Sequence, residues 1–217
     1  MSQSNNESAN MNTTDTDNSD AINSSTDNSN TSNSNSNSCE ITISAANSIE
    51  AELMNSFYAE EKLYSVLVAT LDYMAEHMNK GLILPYFADI DTAVWAEKVK
   101  GLDIYITDSM EGRELNVEAR GKDYATNILS YPSEIMASVI ELMPTLPLGE
   151  LIICHEVVVR EAAEQDKTVA QHISHLLVHG ILHLLGFDHE LGQDEQDEME
   201  SFEIDILARL KLPNPYL

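Results

Sequence analysis

The stretch VAQHISHLLVHGILHLLGFDH, residues 169–189, decides how this chain is read. From Val169 to Leu185 the apolar residues recur at spacings of three and four, the period of an amphipathic helix. Gly186 then stops the helix, as glycine does just past a helix end. His172, His175, His179 and His183 share one face and span about 80° of it at about 100° per residue. His179 and His183 are four apart, so their side chains stand one above the other. Beyond the Gly186 turn, His189 returns three residues later.

The pattern His-x-x-x-His-x-x-Gly-x-x-His puts two imidazoles on one helical turn and a third on the following bend. Three such donors can cap one side of a tetrahedral metal ion, leaving the fourth position to water, whose pKa a zinc-type ion lowers to roughly 7. His179, His183 and His189 are therefore the candidate ligands. Another register would take His172 or His175 with His179, but it makes no use of the Gly186 turn. His175 then stands behind the ligands or lines the cleft. Val178, Leu182, Leu184 and Leu185 surround the pair with apolar residues, and buried imidazoles need partners.

The same spacing occurs in the metzincin zinc proteases, where a glutamate follows the first histidine and acts as general base. Here that position is Gly180, which cannot accept a proton. A protease of that type is disfavoured. Asp188 and Glu190 are the nearest acids in sequence, and for Asp188 a turn role or a bond to a ligand histidine outweighs direct catalysis.

Working outward, residues 40–45 and 102–107 alternate polar and apolar and read as strands. Residues 127–132 are strand-like and end at Pro132. Leu151 to Cys154 is a continuous apolar run, as in a strand buried on both faces. Residues 49–79 have helical spacing and stop at Gly81 and Pro85. Further helices are expected over 91–100, with Ala93, Val94 and Ala96 inward, over 109–117 with Ser109 as cap, over 157–166, and over 194–210. Pro144, Pro147 and Gly149 mark a loop. The expectation is one α/β domain over 39–217, with about four strands in a mixed sheet, five or six helices, and the metal site at the end of a long helix.

Residues 1–38 are different. Ser, Asn, Thr and Asp fill 31 of these positions, and such a segment cannot bury enough surface to offset an ordering cost of roughly 1–2 kcal/mol per residue. It is expected to be a disordered tail. The chain holds 37 acids, 11 Lys plus Arg and a formal charge of −26. Five acids lie in the tail, which leaves 32 acids against 11 bases in the remainder. That balance argues against binding nucleic acid or anionic lipid through a broad basic face, though not against a small local basic site. Two cysteines, Cys39 and Cys154, cannot make a disulfide framework. With no signal peptide pattern and no apolar run near 18 residues, a cytoplasmic protein without a membrane partner is expected.

The segment from His179 to His189 resembles the signature of the YbeY endoribonucleases, bacterial rRNA maturation factors. Residues Arg120-Gly121-Lys122-Asp123-Tyr124-Ala125-Thr126-Asn127-Ile128-Leu129-Ser130-Tyr131-Pro132 resemble a second block of that family, Leu148 to Cys154 a third, and Met199-Glu200 opens a similar last helix. Glu150, Phe187 and Ala125 depart from the family's usual Asp, Tyr and Pro, and none of these removes a ligand. The resemblance implies a four-stranded mixed sheet, a zinc-type ion on the three histidines (nickel being another candidate), and cleavage of single-stranded rRNA in 16S 3′-end maturation and ribosome quality control. It also implies the small ribosomal subunit or assembly factors such as the GTPase Era as partners. Arg120 matches the family's functional arginine, and a guanidinium can hold two phosphate oxygens at once. Lys122 is a weaker phosphate candidate. Thr126, Asn127 and Ser130 could line a nucleotide pocket, although turn and strand-end bonding is the commoner role for each. Two other readings stay open: a metal hydrolase of another substrate such as a peptide or ester, and a non-catalytic assembly factor with a structural metal.

Overall fold

Strand β4, Thr145–Cys154, is the centre of the molecule. It pairs parallel with β2 (Val99–Thr107) on one side and antiparallel with β3 (Ile128–Pro132) on the other, while β1 (Cys39–Ala45) adds parallel to β2. The order β1-β2-β4-β3 makes the four-stranded mixed sheet that was expected. This computed structural model describes residues 38–217, so the tail lies outside the described residues except for Ser38, whose carbonyl accepts from the Lys100 N–H.

Leu151 and Ile153 point to one face with Ile104 and Ile106, and all four are buried. That face is covered by α2 (Glu60–Met78) and α7 (Val169–Leu185). Strand β4 reads apolar on both sides because Cys154, on the opposite face, lies under α4 (Ser109–Arg120), whose Gly112 approaches it closely. Helix α8 (Gln193–Arg209) packs along α7 and α2.

Eight α-helices occur among the described residues, against the five or six expected. Two events account for the difference. The helix expected over 49–79 is broken into α1 (Ala51–Phe57) and α2, because Tyr58 leaves helical geometry to turn inward, where it is 2% exposed and its hydroxyl meets His155 Nδ1 at 3.0 Å. A tertiary contact thus overrides a continuous local pattern. The second event is the four-residue α5 (Ala137–Ile140), which is too short to show a period.

Other boundaries shift for local reasons. Helix α3 is Thr92–Glu97, and it buries Trp95, while Ala93 and Ala96 are exposed. The α4 cap is Asp108 rather than Ser109, since its carboxylate accepts from the N–H groups of Met110 and Glu111 at 2.9 Å. Pro147 and Gly149 belong to β4 and not to a loop. The register slips between Gly101 and Leu102, a bulge that passes over Leu148, and Gly149 at φ +136° lets the strand run against Tyr131, whose carbonyl oxygen would lie 2.2 Å from any Cβ. Helix α6 is His155–Glu164.

Helix α7 keeps the bounds its sequence implies. Thr168 and Gln171 form a capping box, with Gln171 N–H donating to Thr168 Oγ1 at 3.2 Å. At the other end Gly186 is left-handed at φ +100°, and the N–H groups of Gly186 and Phe187 close on the carbonyls of His183 and Leu182.

Candidate metal centre

The Gly186 turn delivers His189 beside the last turn of α7. The rings of His179 and His183 are 4.5 Å apart between centroids, and each lies 5.2 Å from the ring of His189. One nitrogen of each histidine lies within 4.8 Å of the others, and the Nε2 atoms of His179 and His183 are 3.1 Å apart. Gly186 could not be replaced cheaply, because a Cβ there would meet Pro85 Cβ and Tyr86 N at 2.8 Å.

The protonation pattern suits a metal. Glu203, on α8, is 1% exposed. Its Oε1 accepts from His179 Nδ1 at 2.8 Å and its Oε2 from His175 Nε2 at 2.7 Å, and the Tyr216 hydroxyl donates to the same Oε2. Since a carboxylate only accepts, His179 carries its proton on Nδ1, and Nε2 faces the other two histidines with a lone pair. Burial opposes the charge on Glu203, but the hydrogen bonds from His175 and His179 outweigh it and bring its pKa down to about 2. Burial, reinforced by neighbouring His179 and His189, brings His183 down to about 4, so it is neutral at pH 7, the state that a ligand needs. Three imidazoles of this disposition fit a divalent ion, so His179, His183 and His189 could hold a metal.

His175 is not a fourth ligand. Its Nε2 is committed to Glu203, and its Nδ1 is buried with no hydrogen-bond partner among the described residues. It lines the cleft instead. That cleft, of about 310 Å³, is walled by His175, His179, His189, Asn127, Glu203 and Tyr216, among others. Asp188 takes the turn role, with Oδ1 accepting from the Glu190 N–H at 2.9 Å. Gly180 faces the sheet rather than the cluster, and a Cβ there would come to 2.7 Å from Leu151 Cδ2 and 2.8 Å from Ile128 Cδ1. The position that carries a base in metzincins has no room for a side chain.

The second block is arranged otherwise. Arg120 ends α4 and is exposed, and among the described residues its guanidinium has no ion-pair partner, whereas Arg113 is held by Asp123 at 2.6 and 2.8 Å and Arg209 by Glu76. Lys122 is exposed just beyond the Gly121 turn. Asn127 reaches the cleft, but both ends of its amide are bonded: Nδ2 donates to Glu161 Oε2 at 2.9 Å, and Oδ1 accepts from Ile128 N–H at 2.7 Å. Thr126 Oγ1 leans on Asn127 Oδ1 at 3.4 Å, and Ser130 is half-buried within β3. Arg120, Lys122, Thr126 and Ser130 are not in the cleft wall.

Glu203 is the residue that sequence reasoning missed. The signal was present: in α8 it falls on the stripe of Met199, Phe202, Ile206 and Leu207, the one acid on a face that is otherwise apolar. Tyr216 had no such signal.

A family model described as Endoribonuclease YbeY matches residues 73–211, which include Arg120 and all three histidines. The chain belongs to the YbeY endoribonuclease family. Its relatives named Endoribonuclease YbeY include one from Psychrobacter cryohalolentis, 72% identical over 154 residues, which are 71% of this chain and 99% of that protein. Another, from Psychrobacter arcticus, is 77% identical over 139 residues, or 64% of this chain and 68% of that protein. A third, from Acinetobacter baumannii, is 50% identical over 115 residues, covering 53% of this chain and 73% of that protein. YbeY membership agrees with the mixed sheet and with the three-histidine cluster. No helix among the described residues is long and apolar enough to cross a membrane.

Proposed function

We propose that this chain is a cytoplasmic, metal-dependent endoribonuclease that cuts single-stranded rRNA in 16S 3′-end maturation and takes part in ribosome quality control. The observation that carries the reading is the three-histidine cluster, with the proton of His179 held away from the centre by Glu203. His179, His183 and His189 would hold one zinc-type ion, nickel being the next candidate. When bound, such an ion supplies Lewis acidity toward a phosphoryl oxygen or a water.

The remaining work falls to the chain's own side chains. Arg120, which has no ion-pair partner among the described residues of a protein with more than three times as many acids as bases, is the group for two phosphate oxygens. Lys122, two residues on, adds a second positive charge near the same backbone. Thr126 and Ser130 are left as hydroxyl donors along the approach, while Asn127 serves to hold Glu161 and the start of β3. Glu203 keeps His179 in one tautomer. Because the domain is so acidic, RNA is engaged through this small site while presented by the small subunit or an assembly factor such as the GTPase Era.

The test pairs metal analysis with an RNA-cleavage assay on wild type, His183→Ala and Arg120→Ala. The expected result is about one ion per chain in wild type and in Arg120→Ala, none in His183→Ala, and cleavage lost in both variants. Intact RNA together with hydrolysis of a peptide or ester would favour the other hydrolase class. Normal rRNA processing in cells carrying Arg120→Ala would favour a structural metal in an assembly factor.

A further inference from the structure

The fourth element of the metal centre is neither a ligand nor a residue of α7. Glu203 sits on α8, and Tyr216 lies in the segment after it, yet the two meet at the outer edge of the histidine cluster. Glu203 is nearly sealed from solvent, and each of its oxygens is claimed: Oε1 by His179, Oε2 by both His175 and Tyr216. A buried carboxylate with three donors has no freedom to rotate away from any one of them. The Tyr216 ring stands edge-on to His175 at 5.6 Å, which places its hydroxyl. The segment that carries Tyr216 is itself tethered, since Lys167 Nζ donates to the Pro215 carbonyl at 2.6 Å.

We infer that Glu203 and Tyr216 are a positioning pair that fixes His179 as a metal ligand, so that α8 and residues 213–217 set the affinity of the site for its ion. The inference rests on the proposed metal site and deepens it. Partners that hold the far nitrogen of a ligand histidine change metal affinity by about 10- to 100-fold when removed. Glu203 does this directly, by keeping the proton on Nδ1 and the ring turned inward. Tyr216 does it at one remove, by holding Oε2 so that Oε1 stays on His179. His175 belongs to the same clamp, so its place beside the cleft is a supporting one.

The experiment measures zinc affinity of the full chain, by competition with a chromophoric chelator, for wild type, Glu203→Gln and Tyr216→Phe. Each is also loaded with cobalt(II), whose visible spectrum reports ligand geometry. The metal-free proteins are melted alongside. Glu203→Gln is expected to bind zinc about 10- to 100-fold more weakly. Tyr216→Phe keeps the ring and loses only the hydroxyl, so a loss on the order of three- to tenfold is expected, with a shifted cobalt spectrum and an unchanged metal-free melting temperature. If both variants bind zinc within twofold of wild type, the inference is overturned although the metal site stands. If Glu203→Gln does not fold, Tyr216→Phe decides: weaker zinc with a shifted spectrum supports the inference, and wild-type values overturn it. If wild type binds no zinc, the metal site itself fails and the inference with it. Cleavage of RNA is not the readout, so a failure of the ribonuclease reading leaves the result interpretable.

Discussion

Of the three histidine–carboxylate contacts made from α7, two compare directly, one at the candidate metal centre and one away from it. In the first, His179 Nδ1 donates to Glu203 at 2.8 Å. In the second, His172 Nε2 meets Glu161 at 3.0 Å. The bonds are alike, and in both the carboxylate pKa is brought down, against burial, by histidine hydrogen bonds. The exposure is inverted. At the metal centre the carboxylate side chain is 1% exposed and the imidazole 23%, whereas at the other pair the imidazole is 3% exposed and the carboxylate 23%. His179 therefore turns a free nitrogen toward the cleft and toward His183 and His189. The free nitrogen of His172, Nδ1, is buried and has no hydrogen-bond partner among the described residues. On α7 a candidate ligand set arises where the imidazole is the outward member of the pair and other histidines converge on it.

The sharpest way to break this contrast is to remove each imidazole in turn. His179→Ala should abolish bound zinc, while His172→Ala should keep about one ion per chain and lose only stability, of the order of 1–3 kcal/mol, because Glu161 loses one of its two donors and keeps only Asn127. Metal analysis and urea unfolding of both variants check it, and equal metal loss would sink the distinction. Next in size is the face of α7 opposite the histidines. Gly180→Ala should destabilise by roughly 1–3 kcal/mol through contact with Leu151 and Ile128, with zinc affinity unchanged. An unchanged urea midpoint would mean that the sheet yields there.

A second buried imidazole sharpens the comparison from outside. His155 is bonded to the Tyr58 hydroxyl rather than to a carboxylate, and burial lowers its pKa, with Glu156 opposing only in part. In the unfolded chain it titrates near 6.5. Above that value both states are neutral and it costs nothing. Below it the unfolded state takes up a proton that the folded state refuses, so stability falls as pH drops, by at most about 1.4 kcal/mol per pH unit until the folded pKa is reached. Urea melts at pH 7.5 and pH 5.5 should show a smaller loss for His155→Gln than for wild type. The smallest effect concerns the surface of α8, which buries Glu203 but exposes acids such as Glu195 and Glu198. Repulsion of RNA by this charge should make cleavage rise a few-fold between about 10 mM and 100 mM salt before it falls. A monotonic decline from 10 mM would mean that the local basic site dominates the encounter.

Much of this was legible in the chain. The span of α7, its glycine stop and the return of His189 follow from short-range rules, since capping and helical period act over a few residues. Strands β1 and β2 were visible as alternation, β3 as a strand-like stretch ending at Pro132, and the last four residues of β4 as an apolar run. Less legible were features that depend on contacts between distant residues. Tyr58 breaks a helix to reach His155, Pro147 and Gly149 enter a strand by way of a bulge, and Trp95 replaces its alanine neighbours as the inward residue of α3.

The candidate site divides along the same line. Sequence alone picked out the three candidate ligands, because His179, His183 and His189 lie within eleven residues and their spacing is a property of one helix and one turn. Only the tertiary structure brought Glu203 and Tyr216 to the cluster, tied His175 to Glu203, packed Gly180 against the sheet, and left Arg120 without an ion-pair partner among the described residues. Each of these depends on which remote surface packs against α7 or leaves a side chain open, and one chain's local pattern carries no record of that.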